Sequence, residues 1–131
     1  MTREEANQII EDALRPLGSA EPVEESFFLD DRFASIPWVP TYPWRVGDRV
    51  WAIELFRGDR VPEATIRAMV DTTAIEPNVQ PAFFVPDGEP HELLMPICRE
   101  RGIALIAKTS DQYEALVFAV SGRPLAEPLV V

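Results

Sequence analysis

A chain of 131 residues, 47% of them hydrophobic, matches one domain, because a body of this size buries enough apolar surface to hold a core without disulfides or metals. Its formal net charge of −10 disfavours general nucleic-acid binding, which depends on Lys and Arg displacing counterions from phosphates. The single cysteine, Cys98, excludes an internal disulfide, and no stretch is long enough to cross a bilayer, so we expect a cytoplasmic domain without a membrane segment.

The first predicted element is an amphipathic helix over residues 2–15. Its apolar residues recur at three- and four-residue spacing: Ala6, Ile9, Ile10, Ala13 and Leu14. Thr2 and Glu5 form a capping box, in which each residue satisfies a backbone N–H that the first helical turn leaves unpaired. Pro16 and Gly18 then end the helix.

The next elements are predicted from an apolar run and a proline-rich stretch. Residues 26–29 predict a short strand that ends at Asp30 and Asp31. Residues 33–44 contain four aromatic residues and three prolines. Because proline cannot donate a hydrogen bond to a neighbouring strand, we expect residues 33–44 to form an extended, ordered loop or an edge ribbon, not a central strand.

A longer strand is predicted over residues 49–56, after a turn at Gly47 and Asp48. Its side chains alternate between two faces. One face carries Val50, Ala52, Glu54 and Phe56, and the other carries Trp51, Ile53 and Leu55. Glu54 is therefore one acid inside an otherwise apolar segment.

The second half of the chain alternates helices with strands. Pro62 opens a helix that extends to about residue 74, and residues 81–85 form a short apolar strand. A further helix covers residues 89 to 101, and Pro96 bends or restarts it.

The last predicted elements begin after this helix. Gly102 caps it, and residues 103–107 form a buried strand. Two alternatives remain beyond that strand: a short helix that starts at residue 110 or 111, or an edge strand over residues 115–120. Residues 123–131 are expected to be a loosely docked tail.

Together these elements predict one mixed α/β domain over residues 1–131. Two late strands that a helix separates need a right-handed crossover and pair in parallel, whereas the early pair is expected to be antiparallel. We therefore expect a mixed central sheet of four to five strands, flanked by helices.

Acidic residues provide the first candidate site. Asp30 and Asp31 end the early strand and Glu54 lies in the next one, so a hairpin in the right register would bring their carboxylates together. Carboxylate oxygens are the ligands that Mg²⁺ prefers.

Three segments of the chain carry a resemblance to a known family: Trp51–Leu55, Pro81–Pro86 and Ile97–Ile106. With the order of the elements around them, they resemble the PD-(D/E)XK nuclease-like family. The resemblance covers most of residues 1–107 and implies a restriction-endonuclease-like core.

That family places an acid on one strand and an acid-x-lysine motif on the next. The carboxylates hold the metal, and the lysine helps to position and activate the attacking water. By the resemblance, the first acid is Asp31 or Asp30, the second is Glu54, and the lysine position is occupied by Phe56. Lys108 is the remaining candidate for the missing cation. The resemblance therefore implies a degenerate member of the family that does not cut.

Structural roles compete with the metal-binding hypothesis. Glu54 can lie on a partly exposed face or pair with an arginine, and the candidates for that pair are Arg49, Arg57 and Arg67. Asp30 and Asp31 can form a turn after a strand or cap a helix.

Aromatic residues provide a second candidate site, for binding: Trp38, Tyr42, Trp44 and Trp51. They can cover the sheet, or they can anchor a partner protein. Exposure of two or more of them would favour binding.

Two functions follow from these observations. The first is a non-catalytic protein-interaction domain with a degenerate nuclease-like fold, which needs no cofactor. It binds a protein partner or self-associates through a sheet edge or through the aromatic ribbon, which comprises residues 33–44. The second is a metal-dependent phosphodiesterase or nuclease that uses Mg²⁺ with Asp31 and Glu54. Carboxylates close together in an open cleft would favour the enzyme.

Overall fold

The computed structural model describes residues 1–36, 38–57, 60–87, 91–109 and 111–118, with the backbone alone at residues 25, 26 and 91. The expected tail, residues 123–131, lies outside the described residues. The helices are α1 (Arg3–Leu14), α2 (Glu63–Ile75) and α3 (Met95–Arg101). The strands are β1 (Ala20–Pro22), β2 (Tyr42–Val46), β3 (Arg49–Leu55), β4 (Val79–Val85), β5 (Ala104–Lys108) and β6 (Tyr113–Leu116).

The strands form one mixed sheet in which spatial order follows chain order, from β1 to β6. β1, β2 and β3 pair antiparallel, β3, β4 and β5 pair in parallel, and β6 returns antiparallel to β5. The mixed α/β class is confirmed, and so is the parallel pairing of the two late strands. The sheet has six strands within the described residues, more than the four to five expected.

Helices cover both faces of the sheet. α1 packs on one face through Ala6, Ile10, Ala13 and Leu14, together with Trp51 and Ile53 of β3. α2 and α3 share the other face, which is the arrangement that two crossovers of the same hand produce. The alternation of β3 is confirmed, because its odd-numbered residues face α1 and its even-numbered residues face α2 and α3.

Local signals in the sequence fix several element ends. The Thr2 hydroxyl accepts a hydrogen bond from the Glu5 backbone N–H at 3.1 Å, so the Thr2 half of the predicted capping box is confirmed. The Glu5 carboxylate accepts from the Thr2 hydroxyl at 3.3 Å, in place of the predicted bond from the Thr2 backbone N–H. α3 starts with Pro96 in its first turn, after a short 3-10 segment, which confirms a restart at that proline. Gly102 ends α3 with φ of 69°, in the left-handed region that favours glycine.

The strand expected at residues 26–29 is wrong, because Glu25–Leu29 forms a 3-10 helix. Its apolar content serves a ring cluster: the centroids of Phe28 and Phe33 are 5.6 Å apart, and that of Phe27 is 4.9 Å from Phe28. A short apolar run indicates burial and does not by itself distinguish a strand from a helical turn.

The ribbon expected at residues 33–44 is partly wrong, since its end belongs to β2, which lies between β1 and β3. Pro43 is tolerated there for a geometric reason. Its carbonyl accepts from the Val23 N–H at 2.9 Å, on the β1 side, and a strand residue directs its N–H to the same side as its carbonyl. Because β1 ends at Pro22, the missing donor costs no hydrogen bond of that strand.

At the other end of the chain, the short helix expected from residue 110 or 111 is wrong. β6 forms an antiparallel edge strand on β5, with Lys108 opposite Tyr113. The alternative of an edge strand is therefore confirmed in kind, although β6 covers Tyr113–Leu116. Residues 119 and 120 of the expected range lie outside the described residues.

Candidate functional site

Glu54 lies near the end of β3 and is half-buried on the face that α2 and α3 cover. Its carboxylate accepts from the Trp38 indole N–H at 2.8 Å, from the Thr41 hydroxyl, and from the Leu55 backbone N–H at 3.1 Å. No ion pair among the described residues includes Glu54, so the pair with an arginine, one of its two alternative structural roles, is not found. The half-buried carboxylate instead meets neutral donors. These three donors use about three of the four acceptor positions of the carboxylate.

Trp38 can reach Glu54 because the segment before β2 lies on the face of the sheet that α2 and α3 cover. The Trp38 side chain packs against two clusters of buried residues, one around Phe83 and Leu105 and one around Val50 and Ala52. Its ring thus fills the space between the clusters while its N–H satisfies the one acid of β3. The hydrogen bond connects residues 16 positions apart and closes the segment onto the sheet.

Asp30 and Asp31 lie far from Glu54. Asp30 accepts from the Arg32 backbone N–H at 3.0 Å and caps the short 3-10 turn, and Asp31 is exposed in that turn. Arg32 pairs with Glu76 at 2.9 Å, just before β4 begins, so this turn lies at the amino ends of the parallel strands. Glu54 lies towards their carboxyl ends. The structure therefore does not bring these carboxylates together, and it gives Asp30 the capping role.

Lys108 is also separated from Glu54. Glu54 is in register with Phe83, and Phe83 with Leu105, so Lys108 lies two strands away and three residues further along. From the usual spacings, the two Cα atoms are about 14 Å apart. Since Leu105 faces α2 and α3, Lys108 faces the other side, and its Nζ pairs with Asp87 at 3.4 Å.

The position where the family has lysine is occupied by a core residue. Phe56 is 2% exposed and packs edge-on against Phe83, with ring centroids 6.2 Å apart. Within the described part of the chain, no group of three or more His, Cys, Asp or Glu side chains is arranged to hold a metal ion.

The four aromatic candidates are mainly part of the core. Tyr42, Trp44 and Trp51 are 8%, 3% and 3% exposed, and all three pack on the α1 face of the sheet. Trp38 is half-buried on the other face. These side chains therefore cover the sheet, which was one of the two alternatives, and they present little surface to a partner.

Cys98 is fully buried on the inner face of α3. Burial raises the pKa of its thiol from the ordinary 9.0 to about 12. A thiol that stays protonated is a poor nucleophile, so Cys98 serves the core.

A groove with a volume of about 480 Å³ lies between α2 and α3. Its apolar lining consists of Val61, Ile66, Val70 and Ile97. Its charged lining consists of Glu63, Arg67, Asp71, Glu100 and Arg101. Within the described part of the chain, none of these five forms an ion pair, although the charges on α2 are one helical turn apart.

The sequence analysis did not identify this groove. The signal on α2 is visible, since residues 63, 66, 67, 70 and 71 follow helical spacing and lie on one face. The sequence alone does not show that α3 forms the other side of the groove, because the sheet determines the distance between α2 and α3.

The sheet edges offer less to a partner. β1 has three residues, and both Glu21 and Pro22 oppose the addition of another strand. β6 carries Glu114, whose carboxylate accepts from the Thr109 hydroxyl at 2.8 Å. Both edge strands thus include an acid.

Comparison of the chain with protein families, with curated proteins and with solved structures finds no match. No helix among the described residues is both long and apolar enough to span a membrane.

Proposed function

We propose that this domain acts by binding a protein and that it does not catalyse a reaction. The observation that carries the proposal is the groove between α2 and α3, in which apolar side chains lie beside charged ones that have no ion-pair partner among the described residues. Such a surface offers the two parts of a protein interface, an apolar centre and a polar rim.

The engagement of Glu54 supports the non-catalytic part of the proposal. A metal enzyme of the kind considered above needs a carboxylate free to bind the ion, but Trp38, Thr41 and Leu55 all donate to Glu54. In addition, the buried Phe56 occupies the position where the family has lysine, and Lys108 lies two strands away from Glu54.

The degenerate restriction-endonuclease-like fold belongs to the same proposal. It is supported by the order of the elements, in which a helix precedes an antiparallel pair and helical crossovers lead to parallel strands. A fold that has lost its metal ligands can keep its scaffold and use another surface.

Capture from cells tests the binding function. Two copies of the protein with different tags are expressed together, one tag is used for purification, and the retained proteins are identified by mass spectrometry. We expect a retained protein, either the second copy or another chain, in a constant ratio to the bait.

Three variants make the test specific to the groove. Ile97→Glu places a charge on the apolar lining, and Arg101→Glu reverses the charge of an exposed residue of the lining. Arg57→Glu is the charge-matched control on an exposed residue outside the groove. Loss of the retained protein with both groove variants but not with Arg57→Glu would support the proposal. Equal retention by all variants, or no retained protein at all, would contradict it.

A further inference from the structure

The groove is close to neutral on a strongly acidic protein. Its lining has two arginines and three acids, a net charge of −1, whereas the whole chain carries −10. Residues 1–31, which include α1, contain nine acids and two arginines, a net charge of −7. Two copies of this chain therefore repel each other through the α1 side, and the groove is a surface where that repulsion is small.

The charges on α2 are also arranged to complement themselves. Arg67 and Asp71 are exposed, one turn apart, and Val70 lies between them on the groove lining. When two α2 helices run antiparallel around a two-fold axis beside residue 69, Arg67 of each lies opposite Asp71 of the other. The same axis brings the two Val70 side chains together at the centre of the contact. An arrangement in which the same two residues pair twice is what a two-fold interface requires.

From the local charge and this register we infer that the groove is an interface between two copies of this chain, with the α2 helix of each lying antiparallel against α2 of the other. The inference rests on the proposed function and names its partner. A strongly basic partner would match an acidic groove, whereas the mixed lining matches a surface with the same mixture.

Sedimentation velocity of the full chain tests the inference directly. We expect a reversible monomer–dimer equilibrium over about 1 µM to 1 mM, where associations of ordinary strength are visible. Arg67→Glu and Asp71→Arg each replace the two attractive pairs by two repulsive ones, so each variant alone should raise the dissociation constant about tenfold.

The decisive sample is an equimolar mixture of the two variants. In the mixed dimer both pairs are attractive again, so association should return at least to the wild-type strength. Arg57→Glu and Asp111→Arg change the same charges on exposed residues outside the groove, and their dissociation constants should equal that of the wild type. Circular dichroism of every variant checks the fold, which changes at exposed positions should leave intact.

Two outcomes would overturn the inference. One is a wild-type chain that stays monomeric over the whole range, and the other is a dimer that neither α2 variant weakens. If the chain is monomeric but capture retains another protein that Ile97→Glu releases, the proposed function stands and the inference alone fails. If nothing is retained either, both fail.

Discussion

Glu54 is the residue on which the choice between a metal site and a structural site depends. Its two oxygens accept from different donors: Oε1 accepts from the Trp38 indole N–H, and Oε2 accepts from the Thr41 hydroxyl and the Leu55 backbone N–H. An acid among apolar side chains is costly unless donors surround it, and here they do. The sequence shows the acid but not the donors, because Trp38 is 16 residues away and its approach depends on the path of the intervening segment.

Glu54→Gln tests this structural role. The amide keeps an oxygen for Trp38 but turns an NH₂ group towards the Leu55 N–H, so a donor meets a donor. We expect the free energy of unfolding to fall by about 1–3 kcal/mol, measured by urea denaturation. Glu114→Gln, at a more exposed acid of β6, is the control and should change it by less than about 0.5 kcal/mol. An unchanged stability for Glu54→Gln would contradict the hydrogen-bond account.

Trp38→Phe removes the indole donor and keeps an aromatic ring. It should also cost about 1–3 kcal/mol, since the half-buried Glu54 carboxylate loses one of its donors. In a double-mutant cycle with Glu54→Gln, the two losses should be less than additive, because the neutral amide oxygen that remains for Trp38 is a weaker acceptor than the carboxylate. Strict additivity would show that the two residues act independently.

Cys98 gives a prediction with a defined pH window. Its thiol has a pKa of about 12 in the folded chain against an ordinary 9.0, so the folded state holds the proton more tightly. The stability that this proton contributes is complete below about pH 9 and is lost as the pH rises towards 12. Compared with Cys98→Ser, the wild type should lose unfolding free energy more steeply above about pH 9. Parallel pH profiles would contradict the burial of the thiol.

At the scale of the elements, local sequence signals predict β3 and the caps of the helices, but they do not predict β2. Alternation predicts β3, and caps predict the ends of α1 and α3, because these signals are local. β2 was missed because the rule against proline in central strands overlooks where the missing donor points. The sequence predicts a strand where Glu25–Leu29 forms a 3-10 helix, because its apolar residues pack in a cluster of aromatic rings and not in a sheet.

Trp44→Ala tests whether β2 is core or contact surface. With Trp44 3% exposed between α1 and the sheet, the truncation should cost about 3–5 kcal/mol of unfolding free energy. Thermal and urea denaturation followed by near-ultraviolet circular dichroism measure the loss. A variant with wild-type stability that has lost its association would instead place the binding surface on the aromatic ribbon.

At the scale of the whole molecule, the Glu54 site and the groove between α2 and α3 lie on the same side of the sheet. Trp38 and Phe56 pack in the core beneath α2 and α3, Trp38 donates to Glu54, and the groove lies between the same two helices. A sequence predicts the residues of such a surface but not the space between two helices, which the parallel strands beneath them fix. The fold class was therefore accessible from the chain, whereas the candidate binding surface was not.

The claim that this domain binds and does not cut is tested most directly by calorimetric titration of Mg²⁺ and Mn²⁺ into the purified protein, with a nuclease assay on DNA and RNA alongside. Since the Glu54 carboxylate is already engaged, we expect neither metal uptake nor cutting, for the wild type and for Glu54→Gln alike. Metal binding and cutting that both disappear in Glu54→Gln would contradict the account and establish the enzyme in its place.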